Sequence, residues 1–140
     1  MKIQEISTLY HSVYNLNYHL VIVTKFRKRC ISLKIMDRLR DICRDLLIKW
    51  ECELLEFNGE PDHIHLLIKT TPKVNLATLV NNIKTVSSRL IRKEFAEEIS
   101  KVYWKPVFWS RSYCILSCGG APLSVIKQYI EQQGDKKHPG

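Results

Sequence analysis

With 140 residues, 22 Lys+Arg against 14 Asp+Glu and a net charge of +8, the chain is sized for one domain and its balance points to a polyanionic partner. A hydrophobic fraction of 45% excludes general disorder, and no run approaches transmembrane length. The five cysteines, Cys30, Cys43, Cys52, Cys114 and Cys118, include no Cys-x-x-Cys pair; neither a disulfide framework nor a zinc ribbon is indicated, and they read as buried thiols of a cytoplasmic protein.

Residues 1–13 are polar and read as a loose N-terminal arm with no apolar core of the signal-peptide kind. From Tyr14 the chain is rich in β-branched and aromatic residues and predicts a strand. Leu16, Tyr18, Leu20 and Ile22 share one face of it; Asn17, His19, Val21 and Val23 share the other. His19 reads as a strand histidine touching solvent, with membership of a metal cluster as the less favoured alternative. The basic loop Lys25-Phe26-Arg27-Lys28-Arg29 suits phosphates, and reads equally well as a solvated charge run.

Ile35, Leu39, Ile42, Leu46 and Trp50 recur at helical spacing and predict a packing helix over 33–50. A second strand follows over 51–57, with Asn58-Gly59 as a hairpin signal. Residues 63–68 predict a third strand, on which His63 and His65 face one way while Ile64, Leu66 and Ile68 face the other. Two imidazoles about 7 Å apart along one strand face can share a metal ion; the bland alternative is a pair of half-buried structural histidines.

A second helix is predicted over 76–98, with Leu76, Leu79, Ile83, Val86 and Leu90 on one stripe and Lys84, Arg89, Arg92 and Lys93 on a basic side. In the aromatic stretch 103–109 most rings read as core, with Trp104 or Trp109 as candidates for stacking on unpaired bases. Residues 112–117 form a fourth strand. The order βαββαβ predicts an antiparallel sheet with two helices on one face. Gly119-Gly120 reads as a flexible joint before a last helix over 121–133, with Pro122 in its first turn, Gly134 just past its end and a mobile tail over 135–140. On that helix Leu123, Ile126 and Ile130 form a packing stripe, and Tyr129 and Gln133 are neighbours on one face.

Pro61-Asp62 before His63-Ile64-His65, with Tyr129-Ile130-Glu131-Gln132-Gln133 near the C-terminus, resembles the single-tyrosine HUH transposases of the smallest bacterial and archaeal insertion sequences. The segments 14–20, 24–28 and Phe108-Trp109-Ser110 also match, so the likeness spans essentially the whole chain. Two departures are Ser117-Cys118-Gly119, where such proteins often carry Thr-Val-Gly, and Lys105-Pro106-Val107, where a glycine is common.

The resemblance implies a single α+β domain over 1–140, with a ferredoxin-like βαββαβ sheet and an added C-terminal helix carrying the catalytic tyrosine. It implies a metal-dependent DNA transposase that cleaves and rejoins single-stranded insertion-sequence ends through a 5′-phosphotyrosine link. Tyr129 would be the nucleophile and His63, His65 and Gln133 the ligands of Mg²⁺ or Mn²⁺. The implied partners are single-stranded DNA, as hairpins at element ends, and a second copy of the chain. In that homodimer the last helix docks on its own sheet or, as the resemblance favours, on its partner's. A replication initiator or relaxase of the same chemistry is the near alternative. A non-catalytic nucleic-acid-binding domain and a small structural metal protein are the distant ones.

Overall fold

The computed structural model describes residues 7–9, 12–118 and 123–135. In chain order the elements are β1 (Ser7–Leu9), β2 (Ser12–Tyr14), β3 (Leu16–Val23), a 3-10 turn at Lys25–Arg27, α1 (Leu33–Lys49), β4 (Glu53–Glu60), β5 (His63–Thr70), α2 (Leu76–Glu94), α3 (Ala96–Ser100), β6 (Cys114–Ser117) and α4 (Leu123–Asp135). Strands β3 to β6 make one antiparallel sheet in the order β4-β5-β3-β6, with α1 and α2 as its crossovers. This is the ferredoxin-like βαββαβ arrangement expected, with α4 appended.

Both long helices start on a side-chain cap. Ser32 Oγ accepts from the Ile35 N–H at 3.3 Å and Asn75 Oδ1 from the Thr78 N–H at 3.1 Å, each satisfying one orphan donor of a first turn. α2 stops at Glu94, short of the expected 98, because Phe95 leaves helical angles (φ −118°, ψ 37°) and packs against the core; a separate short α3 follows.

Strand alternation divides the sheet into two faces. Leu20, Ile22, Ile64, Leu66 and Ile68 pack against Ile35, Leu39 and Ile42 of α1 and Leu79, Val80 and Ile83 of α2, all essentially buried. Burying each such side chain contributes about 1.5–3 kcal/mol. On the opposite face, among the described residues, the buried apolar set is Val21, Val23 and Ile126 of α4, flanked by half-buried Cys114, Leu116, Tyr129 and Ile130.

Several sequence expectations need correction. Asn58 and Gly59 are not a turn; they lie inside β4, opposite His65 and Ile64, and the two-residue turn is Pro61-Asp62. Proline's fixed φ suits the first corner of a turn, and buried Asp62 is tied down by side-chain bonds, so this pair outcompetes the local Asn-Gly signal. Gly59 is needed for space: a Cβ there would meet the His63 carbonyl oxygen at 2.5 Å and Met36 Cε of α1 at 2.9 Å. The arm expected to be loose is in part paired, Ser7–Leu9 running antiparallel to Ser12–Tyr14. α4 extends past Gln133 through Gly134 to Asp135. Cys43 and Cys52 are buried thiols, but Cys30 and Cys114 are half-buried and Cys118 is exposed. The joint at 119–120, Pro122 and the tail beyond Asp135 lie outside the described residues. Among the described residues no helix is long and apolar enough to cross a membrane.

Candidate active site

His63 and His65 lie on β5 opposite Val23 and Val21 of β3, and directly paired residues point to the same side of a sheet. That side is the one α4 covers through Ile126. The two histidines therefore share a face, as the sequence predicts, and it is the face of α4.

Each imidazole has a partner that fixes it. His63 Nδ1 donates to Asp62 Oδ1 at 2.8 Å, while Asp62 Oδ2 accepts from Arg27 Nε at 2.8 Å. Burial by itself would raise the Asp62 carboxyl, but the bonds from His63 and Arg27 outweigh it and hold the group below its ordinary value. An ionised carboxylate only accepts, so His63 Nδ1 carries the proton of this bond and Nε2 points away from it.

His65 Nε2 lies 2.9 Å from His19 Nδ1, with the rings 5.1 Å apart. Burial, then the charges of His19 and His63, push the His65 pKa down, so its ring is neutral at neutral pH. His19 is half-buried: it touches solvent, as the sequence predicts, and also bonds His65. Its place follows from the β3–β5 register, which sets it diagonal to His65.

α4 brings the other half. The Tyr129 hydroxyl lies 2.8 Å from Ser112 Oγ, and Gln133 Oε1 accepts from Ser112 Oγ at 3.1 Å and from Ser110 Oγ at 3.3 Å. The single Ser112 proton goes to Gln133, so the Tyr129 O–H is the donor to Ser112. Burial raises the Tyr129 pKa, the Ser112 bond lowers it and nearby Cys114 raises it; the net direction is up, so the resting group is a phenol.

The serines are held from behind. Lys84 Nζ donates to the carbonyls of Arg111 at 2.6 Å and Ser112 at 3.4 Å, and Trp109 Nε1 donates to buried Ser87 at 2.9 Å. Trp109 is thereby core, which leaves Trp104, 88% exposed, as the outlying ring of that stretch.

Sequence reasoning missed Ser110 and Ser112 as site residues; two hydroxyls in alternate positions after Trp109 are a weak signal without the docked helix. Among the described residues no hydrogen bond joins Gln133 to either histidine. The link between the halves is Ser110, whose N–H donates to the Val23 carbonyl at 2.8 Å, Val23 being the cross-strand partner of His63. In the single chain α4 docks on its own sheet, touching β3 and the Lys25–Arg27 turn.

His63, His65 and the Gln133 amide oxygen are donors of the types a divalent cation takes, with His65 Nε2 here bonded to His19 Nδ1 and Gln133 Oε1 to Ser110 and Ser112. Glu60, Asp62 and His63 also bring ligand atoms within 4.8 Å of one another, but the Asp62 oxygens already accept from His63 and Arg27.

The model of the family described as "Transposase IS200 like" matches residues 12–133. This chain belongs to the IS200-like transposases. The ISDra2 transposase TnpA of Deinococcus radiodurans is 34% identical over 125 residues, 89% of each chain. The transposase of insertion sequence element IS200 from Salmonella typhimurium is 27% identical over 133 residues, covering 95% of this chain and 86% of that one. A crystal structure of a Deinococcus radiodurans R1 protein assigned as a transposase superposes with a TM-score of 0.83 at 32% identity, over 91% of this chain and 97% of that one. A REP-associated tyrosine transposase bound to a REP hairpin shares the fold, with a TM-score of 0.52 at 9% identity over 89% of this chain and 69% of that one. As an IS200-like transposase the protein acts in DNA transposition, cleaving and rejoining DNA.

Proposed function

We propose that this IS200-like transposase cuts and rejoins single-stranded DNA at element ends, with Tyr129 as its nucleophile and His63, His65 and Gln133 as ligands of a divalent cation. The supporting observation is the meeting, on one sheet face, of two oriented imidazoles with a docked helix whose Tyr129 and Gln133 share Ser112.

The Tyr129 oxygen attacks the scissile phosphorus, the bond from phosphorus to the 3′ oxygen breaks, and the phosphate remains esterified to Tyr129. The phenolic proton, directed at Ser112 in the resting site, leaves to solvent as the new bond forms, and the departing 3′ oxygen takes one up from solvent to become a 3′ hydroxyl. Attack by a second 3′ hydroxyl reverses the step and reseals DNA without ATP, because the ester keeps the energy of the broken bond. Bound Mg²⁺ or Mn²⁺ would bring its full charge to the phosphate and leaving oxygen, since none of the three ligands is anionic. Asp62 and Arg27 hold the His63 ring in the orientation this requires.

The net charge of +8 suits the polyanionic substrate, read as hairpins at the element ends. Moving an element means cutting two ends and exchanging their strands, so two copies of Tyr129 must meet, which a two-fold homodimer provides. In that dimer α4 either keeps to its own sheet or crosses to its partner's. Mixing Tyr129→Phe with His63→Ala subunits separates the two, since only crossed sites regain cleavage.

The test of the chemistry is a denaturing gel after incubation with labelled single-stranded element ends and Mg²⁺. Wild-type protein is expected to give a covalent protein–DNA band and Tyr129→Phe none; a band persisting in the variant rules out Tyr129 as nucleophile.

A further inference from the structure

We propose that the cleft between the Lys25–Arg27 turn and residues 102–107 holds one unpaired base of the bound single strand, stacked on Trp104 and Phe26, with flanking phosphates on Lys25, Lys28 and Lys105. The inference rests on the single-stranded-DNA reading and adds to it a specific nucleotide site whose lining residues include neither the histidines nor Tyr129.

Four observations converge on the cleft. First, its cavity of about 460 Å³ falls in the range of small-ligand clefts, about 300–1,000 Å³, with half-exposed Phe26 and 88%-exposed Trp104 among its lining residues. Large rings left in water beside a cavity are unfilled contact surface.

Second, Phe26 and Arg27 both adopt left-handed backbone angles, φ 59° and 55°. Such angles are disfavoured for residues with a Cβ, and a bulky aromatic is among the worst placed there. Phe26 gains no core burial in return. The strain is locked in by neighbours: Thr24 Oγ1 donates to the Lys28 carbonyl at 2.7 Å, the Lys25 N–H to the Phe108 carbonyl at 2.9 Å, and the buried Tyr103 hydroxyl to the Lys25 carbonyl at 2.5 Å. A strained turn over-determined by its surroundings is the mark of a preformed contact surface.

Third, each ring carries a cation. Lys25 Nζ lies 5.5 Å from the Phe26 ring centre and Lys105 Nζ 5.2 Å from that of Trp104. A nucleotide presents a flat π-face joined to a phosphate, and ring-plus-ammonium pairs match both parts. Among the described residues no acidic side chain lines the cleft, which favours a polyanion over a peptide of mixed charge.

Fourth, a groove of about 420 Å³ is lined by Lys25, Lys84, Arg92, Arg111 and Ser110, the serine that bonds Gln133. It gives a phosphate backbone a cationic track from the cleft to α4. The same turn is tied to the histidines, since Arg27 holds Asp62, which holds His63.

The experiment is fluorescence anisotropy with a labelled thymidine oligonucleotide and a series in which one position at a time is abasic, in EDTA so that cleavage does not intervene. The proteins are wild type, Trp104→Ala and Phe26→Gly. Trp104→Ala is expected to weaken binding by about 5- to 150-fold, the range of a single base–aromatic stack. One abasic position should weaken wild-type binding by a similar factor and make no difference to Trp104→Ala. Phe26→Gly removes the strain along with the ring, so it should melt at or above wild type yet bind less tightly, a combination a purely structural phenylalanine does not produce. Wild-type affinity in both variants, or an abasic penalty unchanged by Trp104→Ala, overturns the cleft while leaving the adduct assay, and with it the transposase chemistry, untouched. Failure of wild type both to bind the oligonucleotide and to form the adduct overturns the parent reading and the cleft together.

Discussion

β5 serves two masters on alternate residues. Ile64, Leu66 and Ile68 enter a continuous core beneath α1 and α2, whereas His63 and His65 look out to a face held by one helix through Val21, Val23 and Ile126. The first face is all apolar packing. The second is mostly polar, with His19, Ser110, Ser112, Tyr129 and Gln133 bonded to one another or to the histidines. The difference teaches that stability is concentrated where no chemistry is needed. The reactive face is free to carry groups that burial would penalise.

The comparison breaks most visibly through function. His65→Ala is expected to lower adduct formation by at least about 100-fold, in line with losing a group that stabilises charge in the transition state, while thermal melting stays near wild type. A variant that cleaves normally would return His65 to a structural role.

One residue earlier, Ile64→Ala should do the reverse. Removing a fully buried side chain leaves a cavity and costs about 2–5 kcal/mol in urea titration, while the protein that remains folded still cleaves. A cost comparable to that of an exposed site would mean the helix-side face is not the stability core.

Ile126→Ala sharpens the contrast at smaller scale. It should cost about 1–2 kcal/mol and speed hydrogen exchange across α4, leaving exchange in β3 and β5 unchanged. Equal acceleration in the central strands would show that α4 is integral to the core.

The smallest effect is a pH dependence of the metal-free protein. The His65 pKa in the folded state lies below its ordinary 6.5, so the unfolded chain takes up a proton first as pH falls. Stability should be level above about pH 6.5, fall as pH drops from there through the folded value, and flatten below it. Urea midpoints measured across this window in wild type and His65→Ala test the assignment, the variant losing this part of the slope.

Much of this was legible in the sequence, and the reasons are local. Period-two alternation over 63–68 put both histidines on one face, and the four-residue spacing of Tyr129 and Gln133 put them together on another element. Facts that depend on how distant segments meet were not legible. His19 joins His65 only through the β3–β5 register, and Ser112 joins Tyr129 only because Lys84 and α4 converge on the loop before β6. The Asn58-Gly59 misreading has the same origin: the turn sits at Pro61-Asp62, where Arg27 from a distant segment holds Asp62, and Gly59 is in the strand to leave room for the His63 carbonyl and Met36. Trp104 and Trp109 were indistinguishable in the sequence, and only the packing of Ser87 beneath one of them separates them.

Whether the thinly packed face performs the chemistry is read most directly by mass spectrometry of the covalent product after tryptic digestion. With Mg²⁺ and a single-stranded element end, the nucleotide mass is expected on the peptide 128–136, which carries Tyr129, and no labelled peptide is expected in EDTA. Nucleotide on the peptide carrying Tyr103 or Tyr113, or an equal yield in EDTA, would contradict the account.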